Sequence, residues 1–222
     1  MAEICTYTRK GEPSPSSPVG RPRVPGSFSR KEPRNLISRV AWPRAQWYRD
    51  DVAFSVRRAT ERDVLEFPGV ERSAGESFRS LPDLAWLADD DVTSVSAHSG
   101  YAKTGVVLAA VDETQSVVGL LSSERQENQL HIWIMGVRYD AQKRGVGRLL
   151  LEAVIESARD LGLTAMTLTT FRDVPWNAPF YERIGFRILD TGELDARLMA
   201  ILRAETAHGL PGDRRCAMRY VL

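Results

Sequence analysis

The chain has 222 residues, 43 % apolar and 27 % charged, with a formal net charge of +1 and two cysteines. That length supports one domain with a real core, and no apolar run approaches the roughly 20 residues that span a bilayer, so a soluble, cytoplasmic protein with no membrane partner is expected. Cys5 and Cys216 are far apart and lack a CxxC neighbour, which argues against a disulfide framework or a zinc site and predicts no metal.

The charge is uneven along the chain. Residues 1–50 hold ten Lys/Arg against four Asp/Glu, whereas residues 51–222 carry a net charge of −5. The body therefore lacks a basic footprint for nucleic acid and suits a cationic partner. Seven of the twelve prolines fall in the first 43 residues, where apolar periodicity is absent. Residues 1–50 read as a flexible Pro/Ser/Arg-rich extension and residues 51–222 as the folded domain. The Arg/Ser bias of the extension is that of an organellar transit peptide, but Glu3, Glu12 and the prolines spoil the amphipathic helix such a peptide needs.

The first element, AFSVRRAT (53–60), alternates as a half-buried strand does. Thr60 with Glu61 and Asp63 marks a helix start; that helix is expected to break near Pro68-Gly69 and resume through VERSAGESFRS, with a second short helix in LAWLADDD. GVVLAAVD (105–112) and SVVGLLSSER (116–125) read as a hairpin, and NQLHIWIMGVR (128–138) as a fourth, central strand. From Gly145, Leu149, Leu150, Ala153, Val154, Ser157, Ala158 and Leu161 define one buried helical face, with Gly162 as its C-cap. LTAMTLTTF (163–171) is a fifth strand, APFYERIG a short helix, FRILD and CAMRYVL the last two strands, and residues 192–209 helical. The order predicts an α/β (α+β) domain with a mixed central sheet of about seven strands flanked by helices.

The most informative stretch is QKRGVGR (142–148), between the fourth strand and the long helix. A strand, a glycine-rich turn and a helix start together place free backbone N–H groups and a positive dipole end at one point, where an anion binds. Gly145 and Gly147 permit close approach, and Gln142, Lys143, Arg144 and Arg148 add donors or charge. A P-loop would need Lys-Ser/Thr after Gly147, where the chain has Arg148-Leu149; a dinucleotide fingerprint would need a third glycine at Leu150 and an acidic residue within 163–171, which has none.

VRYDAQKRGVGRLL resembles instead the pyrophosphate loop of the GCN5-related N-acetyltransferase (GNAT) family, Val-x-Pro-x-x-Gln/Arg-x-x-Gly-x-Gly/Ala, through Val137, Gln142, Gly145 and Gly147; Tyr139 replaces the usual proline. NAPFYERIGF (177–186) resembles the family's second signature. The resemblance runs from about residue 53 to 222. It implies acetyl-CoA as co-substrate, held by Val137, Arg138, Gln142, Lys143, Arg144, Gly145, Val146, Gly147, Arg148 and Asn177, with the fourth and fifth strands splayed to admit the pantetheine arm. Gly136 is the expected bulge that starts the splay, and backbone N–H groups around Val137 and Arg138 the expected oxyanion donors. It also implies Tyr181 as the acid toward the CoA thiolate. Asn177 could equally serve as an N-cap.

The amine must lose a proton, and His131 on the central strand is the candidate base, able to titrate near neutrality. A satisfied structural histidine is the competing reading. Glu71, Glu76 and Trp86 are candidate acceptor-site residues, with Asp89-Asp90-Asp91 and Phe78 as weaker ones, all of which also read as ordinary surface or core positions. The expected function is direct acetyl transfer to the primary amine of a small molecule, polyamine or arylalkylamine in kind. A protein lysine or N-terminal acetyltransferase and a non-catalytic acyl-CoA-binding module are the rivals, and a homodimer is left open.

Overall fold

The computed structural model describes residues 47, 48 and 53–222. The extension expected over residues 1–50 thus lies outside the described residues, except that Trp47–Tyr48 form a two-residue strand, β1. β1 pairs with β2 (Phe54–Arg58). β2, β3 (Val107–Asp112), β4 (Val117–Gln126) and β5 (Gln129–Val137) then run antiparallel side by side. β6 (Ala165–Phe171) joins β5 in parallel, and of the last two strands β8 (Arg215–Val221) inserts between β6 and the short edge strand β7 (Arg187–Ile188). All seven expected strands are present, and β1 shifts their numbers by one, so the fourth and fifth are β5 and β6.

Apolar alternation in the central strands splits the core into two layers. Leu108, Leu121, Leu130, Ile132 and Met135 pack against α3 (Val146–Asp160) and α4 (Ala178–Glu182). Ala109, Leu120, Trp133 and Ile134 meet α1 (Glu61–Gly75), α2 (Val95–Thr104) and α5 (Ala196–Ala207) on the other face. A parallel pair needs a crossover, and α3 supplies it between β5 and β6. Gly119 on β4 lets α3 sit close: a Cβ there would lie 3.1 Å from Val146 Cγ1 and 3.2 Å from Leu150 Cδ1. No helix among the described residues is long and apolar enough to cross a membrane.

Three local expectations are corrected. α1 does not break at Pro68 but runs through it to Gly75, because Val64, Phe67, Val70 and Ala74 bury one continuous face and Thr60 and Asp63 close a capping box at its start. The residues LAWLA lie in a 3₁₀ segment, Pro82–Ala88, rather than an α-helix. The true second helix is α2, opened by Ser94 accepting from the Ala97 N–H at 3.2 Å. Its Ser- and Gly-containing sequence carries little helical signal, and contacts of Tyr101 with Trp133 supply the packing instead.

Candidate functional site

β5 ends at Val137, a single 3₁₀ turn spans Tyr139–Ala141, and the chain then bends through two left-handed residues, Lys143 at φ 62° and Gly145 at φ 88°. Backbone of this kind gathers N–H groups on a concave side. A Cβ on Gly145 would meet nothing within 4 Å, so glycine is required there by conformation and not by space. Tyr139 tolerates the place of a proline because its N–H is used, donating to Ser73 Oγ at 3.1 Å.

Gly145 is the N-cap of α3 and brings no side-chain acceptor; the first helical bond is Leu149 N–H to Gly145 O at 3.1 Å. The preceding N–H groups of Val146, Gly147 and Arg148 have no helical acceptor, although Val146 and Gly147 are buried. They border a cavity of about 370 Å³ lined by Val137, Gln142, Lys143, Gly145, Val146, Gly147 and Arg148 together with Phe180, Arg183 and Ile184. A helix N-terminus, a left-handed turn and the nearby cations Lys143, Arg183 and Arg148, the last paired with Glu152 at 2.7 Å, make this place suited to an anion.

The cavity lies at the end of an opening in the sheet. β5 and β6 are paired only from Gln129↔Ala165 to Ile132↔Leu168, although β5 continues to Val137 and β6 to Phe171. The strands part where β5 bulges: Ser122 pairs with Ile134 but Ser123 with Ile132, which leaves Trp133 as the extra residue. The bulge is therefore at Trp133 and not at Gly136, which stays in register with Leu120. Trp133 and Ile134 consequently share a face, filling the α1/α2 layer just as the strand turns away from β6.

Most of the predicted CoA residues converge on this place. Arg138 and Arg144 do not line the cavity. Arg138 pairs with Asp140, Arg144 stacks over Phe54 with its guanidinium carbon 4.5 Å from the ring centroid, and both line a separate depression of about 200 Å³. The Arg138 N–H is also committed, donating to Val118 O at 2.8 Å, which removes it as an oxyanion donor. Ladder alternation turns the neighbouring amide, that of Val137, toward β6. Gln142 braces the turn: its Nε2 donates to Val137 O at 3.0 Å while its Oε1 accepts from Ser77 Oγ at 3.1 Å.

Asn177 is the N-cap residue of α4 but makes no side-chain cap bond; its carbonyl accepts from the N–H groups of Phe180 and Tyr181. Tyr181 is fully buried, its ring edge-on to Phe180 and Phe186 at 5.4 and 5.7 Å, directly behind the cavity wall that Phe180 and Ile184 form.

Residues 70–186 match the family described as Acetyltransferase (GNAT) family. The chain belongs to that family. It is 28 % identical over 119 residues to a mycothiol acetyltransferase of Propionibacterium freudenreichii, and 26 % identical over 155 residues to one of Rhodococcus jostii; these matches cover 52 and 67 % of this chain. They cover 38 and 50 % of the relatives, so the chain spans at most about half of their length. A PaiA N-acetyltransferase of Thermoplasma acidophilum, solved with coenzyme A, superposes with a TM-score of 0.54 at 16 % identity, covering 77 % of this chain and all of that one, and so shares the fold.

The acceptor-side expectations fare less simply within this GNAT fold. Glu71 is not an exposed helix carboxylate: it is 3 % exposed and accepts from the Thr93 N–H and hydroxyl at 3.2 Å. His98 lies 3.7 Å away and reaches Ser122 through Nδ1 at 2.8 Å. Glu76 is exposed but shared with Arg79, which also holds Asp89. Trp86 stays 39 % exposed with its ring near His208.

His131 is wholly buried, edge-on to Trp133 with ring centroids 4.4 Å apart, and bonded through Nδ1 to Thr167 Oγ1 at 2.9 Å. Contrary to the expectation of near-neutral titration, burial, and secondarily the Arg197 charge, hold its pKa well below the ordinary value. It also sits one rung behind the last closed pair, not at the opening. The unfolded chain takes up a proton on this residue below about pH 6.5, while the folded chain does not, so stability falls as pH drops through that range. The expected result is a lower Tm at pH 5.5 than at 7.5, with a smaller difference in His131→Gln, as calorimetry would measure.

Sequence reasoning missed a second buried group. Glu205 of α5 is fully buried and is held by Arg215 Nε and Nη2, both at 2.9 Å, and by the Thr169 hydroxyl at 2.6 Å. Glu205 and Arg215 are separated in sequence from β6 by some forty residues and look like surface charges there; only their flanking apolar residues Ile201, Ala217 and Met218 hint at burial.

Proposed function

We propose that the chain transfers an acetyl group from acetyl-CoA to the primary amine of a small molecule. The observation that carries this reading is the cavity at the uncapped start of α3, where seven residues of the predicted pyrophosphate site meet. In this reading the N–H groups of Val146, Gly147 and Arg148 take the pyrophosphate oxygens, with Lys143 and Arg183 supplying charge. The pantetheine arm lies between β5 and β6, where its amides complete the ladder that the bulge at Trp133 interrupts. The Val137 N–H, turned into that gap, is suited to polarise the acetyl carbonyl. Tyr181, behind the same wall, is suited to protonate the departing thiolate.

A small acceptor is supported by the apolar cluster at the end of β6. Phe78 and Leu84 from the α1–α2 connection pack on Phe171, Val174 and Leu210, an apolar cover that suits a small acceptor better than a polypeptide. Relatives named mycothiol acetyltransferase point the same way. Among small amines, Trp86 beside His208 favours an arylalkylamine. The polyamine reading is the weaker, because Glu71 and Glu76 already have partners.

Incubation of the purified protein with acetyl-CoA and a panel containing spermidine, 2-phenylethylamine, an amino acid amide and a lysine peptide, read by mass spectrometry, tests this. A singly acetylated small amine is expected. Acetylation of the peptide alone would favour a protein acetyltransferase, and coenzyme A binding without any turnover would favour a non-catalytic module.

A further inference from the structure

β5 and β6 are paired no further than the rung Ile132↔Leu168. Beyond it each strand is held from its outer side, β5 by β4 up to Gly119↔Val137 and β6 by β8 up to Phe171↔Arg215. Two strands tied only to their outer neighbours leave a gap whose width no ladder sets.

The end of α1 and the 3₁₀ segment Glu76–Ser80 that follows it touch both sides of that gap. Ser77 Oγ donates to Gln142 Oε1 at 3.1 Å, and Gln142 Nε2 donates to Val137 O at 3.0 Å, so Ser77 reaches the last residue of β5 through a single side chain. Four residues earlier, Ser73 Oγ accepts from the Tyr139 N–H in the turn beyond β5. The residue after Ser77 reaches the other strand. The Phe78 ring lies 5.9 Å, centroid to centroid, from that of Phe171, the last residue of β6, and both rings are buried. Neighbouring residues of one short segment thus hold the ends of both parted strands.

The segment is itself braced, by Ser80 Oγ donating to Ser77 O at 2.8 Å and by Arg79, which joins Glu76 to Asp89 on the exposed side. Ser77 is 8 % exposed. A hydroxyl so enclosed is less favourable than a methyl group unless it is bonded, and alanine has the higher helical propensity. What serine adds at this position is the bond to Gln142.

We propose that the segment is a strut that sets the width of the β5–β6 gap, with Ser77 and Phe78 as positioning residues at its two feet and Gln142 as the link from Ser77 to Val137. Its consequence for binding rests on the reading that the pantetheine arm lies in this gap. A gap held at its working width before the arm arrives spares the cost of ordering it on binding. The N–H groups assigned to the pyrophosphate belong to α3 and do not depend on the strut.

The test compares coenzyme A with 3′-phospho-ADP, which keeps the pyrophosphate and lacks the arm, by calorimetry on the full chain. Ser77→Ala and Phe78→Leu are each expected to raise the Kd of coenzyme A by roughly fivefold or more and that of 3′-phospho-ADP by less than about twofold. Gln142→Met keeps the stem and loses both bonds; it should match Ser77→Ala, and the double variant should lose no more than about twofold beyond either single one. In the ligand-free chain, the amides of Tyr139 and Ala141, which donate to Ser73 Oγ and Arg138 O, should exchange with solvent roughly fivefold or more faster in Ser77→Ala, with those of α3 unchanged.

Unchanged affinity for coenzyme A in Ser77→Ala, equal weakening of both ligands, or additive losses from Ser77→Ala and Gln142→Met would each overturn the strut. If Phe78→Leu does not fold, Ser77→Ala decides alone. Failure of the wild type to bind coenzyme A would defeat the transfer proposed above; the strut would then stand on faster exchange in Ser77→Ala and fall on unchanged exchange.

Discussion

Gly147→Asp is expected to weaken coenzyme A binding by roughly a hundredfold or more while leaving the fold intact. Gly147 is the second residue of α3 and lines the cavity where the uncapped N–H groups gather. In the proposed site a carboxylate there would meet the pyrophosphate at close range. At about 5 Å and an effective dielectric near 20, two unit like charges repel by roughly 3 kcal/mol, which corresponds to about two orders of magnitude in Kd. The same substitution suits the helix itself, because an acidic residue in the first turn complements the macrodipole and satisfies orphan donors. Loss of binding with an unchanged Tm therefore reads the anion site and not unfolding. Calorimetric titration with coenzyme A measures the first quantity and a thermal melt the second; an unchanged Kd would remove the pyrophosphate from this turn.

How far such a site could be read from the chain depended on whether its parts were local. The turn from Val137 to Arg148 is one continuous segment, and the strand, the glycines and the helix start all leave marks in it. The anion-binding turn was accordingly legible, although Gly145 is there for its left-handed backbone rather than for the close approach expected of it. Arg138 and Arg144 show the limit of that reading: both lie in the motif, but one pairs with Asp140 and the other stacks on Phe54, a residue some ninety positions earlier. The splay was legible as a consequence of the resemblance, whereas its cause was not. A bulge depends on how β5 registers against β4, and nothing in HIWIMG marks Trp133 rather than Gly136 as the extra residue. Glu71 looked exposed because helical periodicity is blind to α2 and the residues leading into it, which cover it with His98 and Thr93. α2 itself was missed for want of propensity, since it is held by Tyr101 against Trp133 and by the Ser94 cap. Glu205 and Arg215 are the extreme case, because their chemistry exists only once β6, α5 and β8 are together.

Tyr181→Phe is expected to lower kcat by about tenfold or more, with little change in the KM for acetyl-CoA or in Tm. The substitution removes one oxygen and no ring volume from a side chain that is fully buried between Phe180 and Phe186, so packing is preserved. What it removes is the phenolic proton. Expulsion of a thiolate into an enclosed gap is unfavourable unless a donor meets the developing charge, and general acids contribute about 10²- to 10⁴-fold when well placed. In the proposed role Tyr181 would be held by its helix, whose first turn is closed by the N–H groups of Phe180 and Tyr181 bonding the Asn177 carbonyl. The signature of an acid acting only as the C–S bond breaks is a fall in kcat and kcat/KM by equal factors. A rise in KM at constant kcat would instead make the hydroxyl a ground-state contact, and no kinetic change would leave Tyr181 as a core residue whose ring alone is used. Steady-state kinetics with a good acceptor from the panel distinguishes the three.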